Sequence, residues 1–188
     1  VIYFGTNSGY LHAMTTDING PEELFAYVPY ELLPNIEVYY REGAEYGKHY
    51  GLDGPITAFI HNDTELNAGK TASKSLIGAS DKAYMYAGMR RGGEIYYALD
   101  VTDPEQPKYL WQITSDDTGF ERLGQTWSAM KPIYVSPEAI GIDVEPQDSK
   151  PIPVLVFGGG YDPVEDDTSG GTRISHSRGN AIYMVNAL

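Results

Sequence analysis

Short apolar and aromatic runs alternate along the chain with Gly, Asp, Asn and Pro, the punctuation expected of strands and turns. The runs predict strands near Val1–Thr6, Leu11–Thr15, Ile56–His61, Ser75–Ala79, Ala83–Met89, Glu94–Val101, Tyr109–Thr114, Lys131–Val135, Val154–Gly158 and Asn180–Ala187. Helical periodicity is nearly absent. Only "PEELFAYVPYELL", Pro21 to Leu33, has room for a short helix, and Pro29 interrupts it. Its middle, Leu24–Val28, reads equally as a strand. The pattern is all-β.

Three segments repeat one another: "VIYFGTNSGYLHAMT", "YMYAGMRRGGEIYYALD" and "VLVFGGGYDP…RGNAIYMVN". Each is an apolar strand ending in Gly (Gly5, Gly88, Gly158), a Gly-containing turn and a second strand. Ala13, Ala98 and Met184 align, as do Met14, Leu99 and Val185. After the second copy a polar turn on Asp103 and Pro104 leads to a further strand with Trp111. Strand, tight turn, strand, polar turn, strand is the layout of one β-propeller blade. The copies start roughly 70 to 85 residues apart, at Val1, Tyr84 and Val154. Compact blades repeat every ~40–50 residues, so long loops must be inserted. "EVYYREGAEYGKHYGLDG" and "SPEAIGIDVEPQDSKPIP" are the expected inserts.

The glycines of "PVLVFGGGYDP" also invite a phosphate-loop reading. A dinucleotide loop needs G-x-G-x-x-G opening a helix. Here Pro163 stands at the third glycine position, and Glu165, Asp166 and Asp167 would repel a phosphate. Gly158 to Gly160 are therefore expected to supply positive φ in a turn between blade strands. Asp53 and Asp100 are read as turn caps, and Trp111 and Trp127 as anchors packed between blades.

Composition narrows the classes. At 188 residues with 41% hydrophobic content the chain can build a core, and no cysteine is available for disulfides or thiolate metal sites. A net charge of −13, with "MRRGG" the only adjacent basic pair, argues against nucleic-acid binding. No apolar run is long enough to insert in a membrane as a helix. Tyrosine is abundant, 16 against 5 Phe. It suits strands and would also suit an aromatic surface for sugar or protein.

"LHAM", "PEELFAYVP", "HYGLDGPITAF", "YYALDVTDPEQPKYLW", "LGQTWS", "VFGGGYDP" and "GNAIYMVN" occur in this order. That order resembles the propeller domain of type IV pilus tip-associated proteins, the PilY/PilC family of Gram-negative bacteria. The resemblance runs from Val1 to Leu188. It implies a partial quinoprotein-like β-propeller of about three blades, forming part of one domain in a longer secreted chain. It also implies roles in pilus assembly, surface adhesion and twitching motility. Minor pilins or the pilus tip, and a host or abiotic surface, are the implied partners. The implied location is the cell surface or pilus tip, the outer membrane or the periplasm.

Some family members bind calcium in a loop of alternating Asp, and some carry an R-G-D signal. Here "YDPVEDD" places Pro163 and Val164 where ligands would be needed among Asp162, Asp166 and Asp167. No metal is therefore assigned to this loop, and a calcium loop of the family's kind would lie beyond Leu188. "SRGNA" has Asn180 in place of the carboxylate, so nothing is carried over.

Quinone-dependent dehydrogenases share the architecture, so an enzyme is the rival reading; a periplasmic assembly scaffold is a third. His12, His49, His61 and His176 match no metal or catalytic spacing, and no Ser lies in G-x-S-x-G. Asp116–Asp117 and Asp166–Asp167 are adjacent in loops and need not converge. No catalytic, cofactor-binding or metal residue is assigned. A ring of blades buries both faces of each blade. Two and a half to three blades, the strand count here, are fewer than the about four a ring needs. The sequence thus predicts an open arc with apolar end faces carrying Ile2, Phe4, Ile182 and Met184.

Overall fold

A computed structural model describes residues 1–41, 47–62, 81–145, 149–166 and 177–188. The described residues form ten strands in three antiparallel sheets. The first sheet orders β1 (Ile2–Gly5), β2 (Leu11–Met14) and β3 (Glu23–Tyr27). The central sheet orders β4 (Ile56–His61), β5 (Lys82–Gly88), β6 (Tyr96–Asp100) and β7 (Lys108–Ile113). The third orders β8 (Lys131–Val135), β9 (Ile152–Gly158) and β10 (Ile182–Asn186). The all-β expectation holds, and the strands fall where the apolar runs place them. The expected strand Ser75–Ala79 lies outside the described residues.

The repeated hairpin is visible in the pairing. Gly5 stands opposite Leu11, Gly88 opposite Tyr96 and Gly158 opposite Ile182. Two positions back from each Gly, Tyr3 faces Ala13, Tyr86 faces Ala98 and Val156 faces Met184. The register is the same although the connections differ greatly in length, residues 6–10, 89–95 and 159–181.

Alternation along β5 and β6 sends side chains to two separate cores. Ala83, Met85, Tyr97 and Leu99 join Leu11, Leu32, Tyr39 and Leu52 on the side of the first sheet. Tyr86, Tyr96 and Ala98 join Phe59, Leu123, Leu155 and Phe157 on the side of the third. Three large phenols are buried in the central sheet, and their hydroxyls are partnered, as buried Tyr requires. Tyr86 donates to the Ala187 carbonyl (2.6 Å), Tyr96 to the Ser128 carbonyl (2.6 Å) and Tyr97 to Glu31 (3.2 Å).

The helical expectation is corrected. Glu23–Tyr27 is a strand, so the open choice at Leu24–Val28 resolves to β structure there. Helix begins after Pro29, as a 3-10 turn over Tyr30–Asn35 followed by α1 (Ile36–Tyr40). Pairing with β2 outweighs the weak local preference. The first expected insert is also more than a surface loop. Its Tyr39 and Leu52 are buried in the core between the first and central sheets.

Candidate functional site

At one end of the sheets the hairpin turns are stitched together by the segments that enter β4 and β8. Leu52 N–H donates to the Thr6 carbonyl (3.1 Å), and Gly88 N–H to the Pro55 carbonyl (3.1 Å). One blade on, the Met89 amide donates to Thr126 Oγ1 (2.7 Å), while Gln125 and Tyr161 exchange backbone bonds of 2.8 and 3.0 Å. Thr126 is fully buried and its hydroxyl also donates to the Ile95 carbonyl (3.2 Å). The backbones approach so closely that side chains are excluded. A Cβ on Gly92 would lie 1.8 Å from the Gly51 carbonyl oxygen, and one on Gly160 would lie 1.9 Å from that of Gln125.

This corrects the reading of the glycine turns. Of the three in "GGG" only Gly160 has a left-handed backbone, φ +90°. In "MRRGG" that conformation belongs to Arg90, φ 52°. Close approach, as much as turn geometry, is what demands glycine here.

On this platform sits a cleft of about 460 Å³ lined by Arg91, Trp127, Gly160, Tyr161 and Asp166. The Arg90 guanidinium lies 5.0 Å from the centre of the Trp127 ring, and Arg91 lies 5.8 Å from Trp127 and 5.8 Å from Tyr50. Lys48 covers Tyr50 at 5.3 Å. Tyr161 meets Trp127 edge-on, with ring centres 6.5 Å apart. Its hydroxyl donates to Asp166 Oδ1 (2.7 Å), which holds the phenol above its ordinary range. Trp127 Nε1 donates to Gln125 Oε1 (3.1 Å).

Trp127, expected as a buried anchor, is 39% exposed and belongs to this cleft. Trp111 does pack as expected, stacked on Tyr86 at 5.8 Å. Asp53 is more than a turn cap. Its Oδ1 is buried without a hydrogen-bond partner. Burial raises its carboxyl above the usual range, against the opposing pull of Arg90, Arg91 and the Gly92 amide. Asp100 is the cap the sequence predicts, accepting from the Thr102 amide (2.9 Å).

The other candidates do not converge. Asp162 is buried and accepts from the Val164 amide (3.1 Å), whereas Asp166 is engaged by Tyr161. Asp117 accepts from the Thr114 amide (2.7 Å). Asp167 and His176 lie outside the described residues. His12 pairs with Glu23 (2.5 Å) beneath Phe4, and His61 meets the Tyr134 hydroxyl (3.2 Å). Arg178 of "SRGNA" is ion-paired with Glu94. Among the described residues no cluster of three His, Asp or Glu is arranged to hold a metal ion.

A second concavity of about 400 Å³ is lined by Tyr27, Tyr30, Glu31, Tyr109 and Gln112. Glu31 there accepts from Tyr97 and from Gln112 Nε2 (3.0 Å), so its oxygens are engaged. Burial, then Tyr109 and Glu31, push Tyr27 up to about 12.

No family model matches the chain. It is 37% identical over 128 residues, 68% of its length, to the type IV pilus biogenesis factor PilY1 homolog of Xylella fastidiosa. It is 31% identical over 117 residues, 61% of its length, to the type IV pilus biogenesis factor PilY1 of Pseudomonas aeruginosa strains PAO1 and PAK. It spans 9% and 8% of those relatives. A crystal structure of the Pseudomonas aeruginosa PilY1 C-terminal domain is 26% identical, with TM-score 0.48 over 86% of this chain and 25% of that one.

Proposed function

We propose that this chain, a PilY1-type segment by sequence, is part of a β-propeller in a pilus-associated surface protein and acts without catalysis. The function it serves in this reading is type IV pilus biogenesis, with surface adhesion and twitching motility. Its partners are minor pilins or the pilus tip, and a host or abiotic surface. It works at the cell surface or pilus tip, the outer membrane or the periplasm of a Gram-negative bacterium. It carries no cofactor in residues 1–188, and any calcium loop of the family's kind lies beyond them.

The observation that carries the propeller reading is the hairpin repeated at one register in three successive sheets, with the central sheet packed on both faces by its neighbours. Sheets that stack face to face in chain order are the building rule of propellers. The relatives' role as type IV pilus biogenesis factors supports the pilus assignment.

An in-frame deletion of residues 1–188 in the bacterium that carries the protein tests it. Sheared surface pili, twitching zones and adherent cells should all fall. Unchanged pili, together with reduction of an artificial electron acceptor by the purified protein, would favour the dehydrogenase reading instead.

A further inference from the structure

We propose that the cleft of Arg91, Trp127, Gly160, Tyr161 and Asp166, with Arg90 at its edge, docks an acidic segment of a partner protein, receiving a Glu or Asp carboxylate on the paired guanidinium groups. The inference stands on the cleft alone and does not depend on the pilus assignment.

Charge complementarity is the first argument. The chain carries −13 overall, yet it gathers its only adjacent arginines on one turn, with Lys48 close by over Tyr50. Among the described residues neither guanidinium forms an ion pair with a carboxylate. Asp53, the acid they do influence, is held above its usual range chiefly by burial, against the pull of Arg90 and Arg91. Stacking on an aromatic face holds a guanidinium in place while leaving its in-plane N–H groups free. Those N–H groups form the fork that fits a carboxylate with two bonds.

Backbone strain is the second. Arg90 holds φ 52° rather than a glycine doing so, although glycines flank the turn. Its amide is fixed to the Thr126 carbonyl (3.3 Å). A non-glycine residue in the left-handed region costs conformational energy and persists only where the surroundings enforce it. Here the enforcement aims the Arg90 side chain at Trp127.

The aromatic groups decide between peptide and sugar. Two cations already lie over the Trp127 indole and Tyr161 meets it edge-on, so the ring is engaged rather than free for a sugar to stack on. Trp, Tyr and Arg together are the residues enriched where protein interfaces concentrate their binding energy. Asp166 also lines the cleft, and the carboxylate oxygen that Tyr161 does not engage is an acceptor for a backbone amide of the same peptide.

Isothermal titration calorimetry of the intact protein with blocked tetraglutamate and blocked tetraglutamine tests the proposal. Tetraglutamate should bind at least about tenfold more tightly, and Arg91→Gln should remove about tenfold of that affinity, the loss of one charge-assisted pair. Arg90→Gly separates binding from folding. It relieves the left-handed strain, so thermal stability should hold or rise while tetraglutamate binding weakens. Equal binding of the two peptides, undiminished binding by both Arg variants, or tighter binding of an oligoglucuronate than of tetraglutamate would overturn the proposal.

Discussion

The central sheet and the two that flank it use one hairpin at one register, but they bury it differently. Tyr96, Tyr97, Ala98 and Leu99 on β6 are all buried, because each face meets a neighbouring sheet. On β1 and β10 only alternate residues turn inward. Ile2 and Phe4, and Ile182 and Met184, face outward, with Ile182 83% exposed. These outward positions are nonetheless as apolar as those that pack in the centre. A strand with one face meant for water alternates apolar inward with polar outward. The flanking sheets therefore carry sequences suited to contact on both sides, while the described residues cover one.

Core truncation should break this symmetry most strongly. Leu99→Ala should cost about 2–5 kcal/mol in a urea melt. Ile182→Ala should stay within about 0.5 kcal/mol, as for other exposed positions. Equal losses would mean that the outer face of the third sheet is covered in solution.

The rim offers a sharper contrast. Gly160→Ala meets both a left-handed φ and the Gln125 carbonyl, and should cost about 1–3 kcal/mol. Gly119→Ala has φ +90° but nothing within 4 Å, and should cost about 1 kcal/mol. If the two matched, backbone approach at the rim would contribute nothing beyond the turn.

Tyr86→Phe should cost about 1–3 kcal/mol by orphaning the Ala187 carbonyl, whereas Tyr30→Phe, at an exposed ring, should be neutral. Removal of a hydroxyl from the central sheet should thus be felt where removal from the surface is not.

The last contrast is alkaline. Burial raises Tyr86, Tyr96 and Tyr97 above the ordinary phenol range, and Tyr27 to about 12. Each is neutral in both states below about pH 10 and contributes fully there. Above that the unfolded phenols ionise first, so stability falls, and Tyr27's share is lost by about pH 12. Denaturant midpoints measured from pH 8 upward should be flat and then decline. A rise above pH 10 would contradict the burial of these rings.

The strands and the repeat were legible in the sequence because Gly5, Gly88 and Gly158 end equivalent apolar runs, and pairing made that equivalence exact. The outward apolar set of Ile2, Phe4, Ile182 and Met184 was legible from the same alternation. Leu24–Val28 stayed open between helix and strand because Glu23–Tyr27 has no strong local signal, and its partner strand decides. The cleft was not legible. Arg90, Trp127 and Tyr161 lie on three connections far apart in the chain, and Trp127 has the hydrophobicity of a core residue. The doubled arginine, alone in an acidic chain, was the one signal that pointed toward it.

The glycine contacts at the rim also have a mechanical side. A side chain that touches a neighbour can rotate to absorb a small shift; backbone packed closely against a glycine has no such freedom. Gly9, Gly51 and Gly92 form one run of such contacts between the first and central turns, and Gln125 with Gly160 forms another toward the third. Compression along either run is met by covalent geometry rather than by rotamers. Along these runs of the rim a push on one turn is delivered to the next with little side-chain slack.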